Sequence, residues 1–196
     1  DNVQFQKTGG IWTNRVRLLT GPKDDWVTLP VQRDYHGVLA ISEMHLQKIG
    51  FPRWKEKFPK TLRMNYGKHP WFPEVFDLVE DCLDYDGDRL AEFNIRNIKR
   101  IMEFVGWPCS HLIRGTGINC SGSATDLLIR LTRAAGGSAY LCGGGAGGYQ
   151  EDELFAAAGI ELVYQNFRHP IYEQKGRAEF IPGLSILDAL FNCGPD

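Results

Sequence analysis

The chain has 196 residues, 43% of them hydrophobic and 23% charged, with 22 basic residues against 24 acidic ones. This is ordinary globular composition, long enough for a single domain with a sizeable core. A net charge of −2 offers no basic surface for nucleic acid, and no apolar run approaches the roughly 18 residues that a membrane span needs.

Cys82, Cys109, Cys120, Cys142 and Cys193 are odd in number and widely spaced, with no CxxC. Neither a disulfide framework nor a zinc ligand pair has a starting point, so they read as thiols in a reducing cytoplasm. The chain does not begin with Met, and Asp1 to Phe5 reads like the end of an element, so an earlier segment is expected.

Val3 to Lys7 alternates and is broken by Gly9-Gly10. Arg15 and Arg17 then alternate with Val16 and Leu18, the pattern of a strand with one wet face. Gly21 to Asp25 is a turn, and Trp26 to Val31 is a second strand, with Pro30 near its end. Together they predict an N-terminal hairpin.

Trp54 to Tyr66 reads as a helix that Pro59 should kink or start, and Trp71 to Leu83 reads as a second helix. Asp88 is placed to cap a third helix, in which Ala91, Ile95, Ile98, Met102 and Val105 fall on one face before Gly106-Trp107-Pro108 ends it. Cys109 to Ile113 suggests a short strand. Ser123 to Asp126 is a capping-box pattern, followed by a helical face of Leu127, Leu128, Leu131, Ala134 and Ala135 that Gly136-Gly137 closes.

Ser138 to Gln165 is the organising stretch. Strand 138–142, a glycine loop, helix 151–158 and strand 160–165 form a βαβ pattern, and the intervening chain exceeds the roughly dozen residues that a parallel crossover requires. Ligands favour loops after such strands. The fold expected is therefore α/β: a partly parallel sheet with flanking helices and a hairpin near the start. A last helix spans Leu184 to Phe191.

The glycine loop contains GxGxxG at Gly143, Gly145 and Gly148, but no Gly-Lys-Ser/Thr follows. Glu151-Asp152-Glu153 places carboxylates at the positive end of the next helix, where a phosphate would be repelled. Gly143, Gly144, Gly145 and Tyr149 are better read as a pocket wall that lets a bulky group approach. Charge recognition then falls to Arg15 with Asn14, because a guanidinium holds carboxylate or phosphate with two parallel bonds. A solvated strand face is the alternative for Arg15.

The five histidines form no HxH or HExxH pair, so no metal site is indicated. His169 follows a strand, near Tyr172 and Gln174, and suits a general base, or else packs on Pro170 and Tyr172. Ser185, Asp188 and Asn192 share one face of the last helix, which makes Asp188 a candidate acid or base, or with Ser185 a cap pair. No GxSxG nucleophile elbow occurs.

Asp1-Asn-Val-Gln-Phe5, Asn14-Arg15, Trp26 to Val31, Ser123 to Tyr149, Phe155 to Gln165, His169-Pro-x-Tyr172-x-Gln174 and Phe180-Ile-Pro-Gly-Leu-Ser-Ile-Leu-Asp-Ala-Leu-Phe-Asn192-x-Gly194 resemble WbqC-like proteins over most of the chain. The resemblance implies one such domain over 1–196, lacking a first strand and the His-Gln-Pro-like segment with which family members open. It also implies a bacterial, cytoplasmic role in O-antigen or other surface-polysaccharide synthesis. The expectation is a transferase acting on an activated or amino sugar, with His169 or Asp188 taking the acceptor proton. Asn14, Arg15, the glycine loop, Tyr172, Gln174 and Asn192 would then line the substrate site. The resemblance leaves the cofactor open, and the partner expected is a small-molecule donor or sugar. The rival expectation is a non-catalytic binding or scaffold protein of the same pathway.

Overall fold

A computed structural model describes residues 1–7, 12–118, 120–122, 124–143 and 151–195. The chain divides into two compact units, Asp1–His111 with Pro170–Asp196, and Leu112–His169.

The first unit opens with strands β1 (Arg15–Thr20) and β2 (Lys23–Thr28), paired antiparallel from Arg15 opposite Thr28 to Thr20 opposite Lys23. The hairpin is thus tighter than its sequence suggests. Gly21 takes φ 81°, the left-handed conformation that a two-residue loop needs at its first position. Helices α1 (Gly50–Tyr66), α2 (Phe72–Leu83) and α3 (Leu90–Phe104) follow, and α6 (Ile186–Cys193) returns to this unit near the C-terminus. Their apolar stripes meet in one core, with Leu18 and Leu19 from β1, Leu62 and Tyr66 from α1, Val75 and Val79 from α2, Leu90 from α3 and Phe191 from α6.

Three local expectations change. Pro59 lies inside α1 and does not start it. The residue capping α3 is Arg89, without a side-chain cap; Asp88 instead accepts from His45 Nδ1 at 2.8 Å, a partner far along the chain that no local pattern encodes. Residues 109–113 form no strand, having no ladder partner among the described residues, and Ile113 stays exposed.

The second unit holds α4 (Ala124–Ala134), β3 (Ala139–Cys142), α5 (Asp152–Ala157) and β4 (Glu161–Tyr164). β3 and β4 pair in parallel, with Tyr140 opposite Leu162, as the βαβ pattern requires. Ile129, Phe155 and Ile160 form its small core, and Tyr140 stacks on Phe155 at 5.3 Å. The fold is mixed α/β, its described strands arranged as one antiparallel and one parallel pair.

Candidate functional site

The first unit gathers its polar side chains around the start of α6. Ser185 caps this helix, accepting from the Leu187 amide at 3.4 Å, so Asp188 falls in the first turn, where a carboxylate suits the helix dipole. Asp188 is 0% exposed. Its Oδ1 accepts from the Tyr66 hydroxyl at 2.9 Å, and its Oδ2 accepts from the Tyr172 hydroxyl at 2.7 Å and from Gln174 Nε2 at 3.1 Å.

Each donor is fixed in turn. The Leu19 amide of β1 donates to the Tyr66 oxygen at 3.0 Å, while the Tyr66 ring stacks on Phe191 at 4.6 Å. Gln174 bonds Ile181 in both directions, Nε2 to O at 3.0 Å and N to Oε1 at 2.8 Å. Asn192, one turn past Asp188, donates to the Asp188 carbonyl at 2.8 Å and accepts from the Lys175 amide at 2.8 Å. Burial, and then the neighbouring Asp188 carboxylate, hold the Tyr66 and Tyr172 hydroxyls well above the usual tyrosine range. The network ties residues 172–175 and α1 to α6, and leaves Asp188 sealed with both oxygens engaged.

A cavity of about 190 Å³ in the same unit reaches the start of α6 through Ser185, Ile186 and Leu187. Its walls are mostly apolar, with Trp54 and Phe58 from α1, Leu78, Val79 and Cys82 from α2, and Phe93 and Ile101 from α3. Burial pushes the Cys82 thiol up to about 11, so it is an apolar lining group and not a thiolate. Thr13, Asn14, Arg15, Asn94, Asn97 and Ser185 supply the polar points. The Arg15 guanidinium sits 4.3 Å from the Trp26 ring centroid, and Trp26 meets Trp12 edge-on at 5.3 Å. Asn94 Nδ2 donates to the Thr13 carbonyl at 2.8 Å. Asn97 Oδ1 is buried with no hydrogen-bond partner among the described residues.

The residues singled out by sequence separate. Asp188, Tyr172, Gln174 and Asn192 come together in the network. Arg15 and Asn14 line the cavity, but Asn14 is itself buried and clamped to Leu29, donating through Nδ2 at 3.0 Å and accepting through its carbonyl at 2.7 Å. His169 and Gly143 belong to the second unit. His169 is exposed and meets Phe167 edge-on at 4.9 Å, and Gly143 has open space where a side chain would stand. Gly144, Gly145 and Tyr149 lie outside the described residues. Sequence reasoning passed over Tyr66, Asn94 and Asn97. The i, i+3 amides of α3 were a usable signal; Tyr66, at the end of a helix, carried none.

No helix among the described residues is long and apolar enough to cross a membrane. No solved structure matches the chain significantly. A relative from Mycobacterium tuberculosis, the uncharacterized protein Rv1507c, is 27% identical over 200 residues, covering 100% of this chain and 83% of its own length. The profile of the WbqC-like protein family matches residues 1–196. With its closing motif built into the α6 network and the match running from end to end, the chain belongs to the WbqC-like protein family.

Proposed function

We propose that this protein is a cytoplasmic transferase of bacterial surface-glycan synthesis, and that an activated or amino sugar occupies the cavity of the first unit. The observation that carries the reading is the Asn97 oxygen, buried and without a hydrogen-bond partner among the described residues, in a wall of apolar and aromatic side chains. Buried acceptors are rarely left unmet, and a sugar hydroxyl is a donor of the right kind. Aromatic rings suit the apolar face of a pyranose, and the Arg15 guanidinium suits an anionic linkage to a nucleotide or acyl carrier. Family membership supports the pathway.

One observation favours the non-catalytic rival: Asp188, the other candidate base, is fully enclosed and has both oxygens engaged. A thermal-shift screen against nucleotide sugars, acyl-coenzyme A and aminoacyl donors separates the two. A transferase is stabilised by one donor class and turns it over with a sugar acceptor. Stabilisation without turnover supports the binding protein, and no stabilisation by any donor removes the transferase reading.

A further inference from the structure

At the C-terminal end of α1 the surface opens into a second cleft, which shares no lining residue with the cavity. Arg63, Lys68 and Lys175 line it, together with His69 and Phe72. The Arg63 guanidinium is held over the Phe76 ring, 4.4 Å from its centroid. Lys175 reaches back to donate to the Lys68 carbonyl, which holds its ammonium close to Lys68.

His69 differs from the other lining groups. It is 8% exposed, whereas the three cations stand in solvent. Its Nδ1 faces the Tyr66 carbonyl at 3.1 Å, and a carbonyl can only accept, so Nδ1 carries the proton. Burial holds the ring below the usual histidine range, with Lys175 acting in the same direction; the Tyr66 carbonyl and the Asp188 carboxylate oppose it. The neutral ring therefore presents Nε2 as a bare acceptor. Nε2 is buried and has no partner among the described residues.

A cleft with three cations calls for an anion, and a buried acceptor among them calls for a donor. Sulfate and carboxylate meet only the first requirement, since at neutral pH they carry no proton. A hydrogen phosphate group meets both. We propose that this cleft is a site for inorganic phosphate, which it selects through its remaining proton by means of His69 Nε2. Arg63, Lys68 and Lys175 hold the unprotonated oxygens, and Lys175 exchanges the Lys68 carbonyl for the ligand as it enters. The site stands whether or not a sugar occupies the cavity.

Titration of the full chain with sodium phosphate and with sodium sulfate at matched ionic strength and neutral pH tests the proposal. Phosphate binds at least about tenfold tighter, the factor that an unmet buried acceptor carries. Long-range proton–nitrogen NMR shows the His69 Nε2 resonance moving with phosphate and staying in place with sulfate. Lys175→Ala, at an exposed position, weakens phosphate binding by about tenfold and leaves the fold intact. A hexose 1-phosphate, whose phosphate is largely unprotonated at neutral pH, binds more weakly than inorganic phosphate; equal or tighter binding counts against selection through the proton. Equal affinity for phosphate and sulfate, or phosphate binding that leaves the His69 resonance unmoved, overturns the proposal.

Discussion

Asp188 and Asn97 both hold polar atoms out of water in the first unit, and they are satisfied to opposite degrees. The Asp188 carboxylate collects three side-chain donors and no solvent. The Asn97 oxygen, on a cavity wall, collects none among the described residues. A saturated buried charge rigidifies what surrounds it, because removing it strands every donor aimed at it. An orphaned acceptor contributes nothing to the folded chain alone, so its use lies in what else enters. In the proposed reading, the carboxylate that looks most like a catalytic group is the structural strut, and an unremarked amide is the contact.

The largest expected effect is at Asp188. Asp188→Ala leaves Tyr66, Tyr172 and Gln174 without their acceptor and should cost roughly 3–5 kcal/mol of stability in chemical denaturation, the range for removing one partner of a buried charged group. Unchanged stability with lost turnover would break the comparison and return Asp188 to the catalytic group.

Tyr66→Phe comes next. It removes a hydroxyl that bonds both Asp188 and the Leu19 amide, for a loss of about 1–3 kcal/mol. Tyr172→Phe should cost less, because Gln174 still serves the same Asp188 oxygen.

Asn97→Leu sharpens the other half. Its stability change should stay within about 1 kcal/mol, since no protein hydrogen bond to the oxygen is lost. Affinity for the sugar-bearing donor, read by calorimetry, should fall by about tenfold. Equal donor affinity in the variant and the parent chain would remove the Asn97 contact.

The smallest effects are in pH. The folded state holds the Tyr66 proton more tightly than the unfolded chain, so that stability is full below the ordinary value of 10.0 and is lost as pH rises past it. His69 is shifted the other way. Its contribution is present above 6.5 and is lost as pH falls below that value toward the lower folded pKa. Denaturation midpoints measured from pH 5 to pH 11 should fall at both ends, and Tyr66→Phe should flatten the alkaline limb.

Periodicity alone carried much of the fold. The stripe of α3, the hairpin of β1 and β2, and the parallel β3–α5–β4 unit can all be read from residues a few positions apart. The site was legible only in pieces. Tyr172 and Gln174 stand out beside His169, and Asp188 and Asn192 on the face of the last helix, but nothing in the spacing joins the two pairs. Tyr66 lies 122 positions from Asp188, and nothing local announces the pair. His45 and Asp88 show the same limit: a well-placed cap residue was taken by a distant imidazole.

By itself, then, the sequence determined most of the elements, the parallel crossover and the family, because helix periods, turn glycines and motif spacing act over short stretches of chain. Only the tertiary structure decided which polar groups are used up and which remain open. Asp188, Asn97 and His69 are ordinary residues on helical or turn segments until distant elements close over them. Closure removes water, and from then on each polar atom depends on whichever partner the packing brings within about 3 Å.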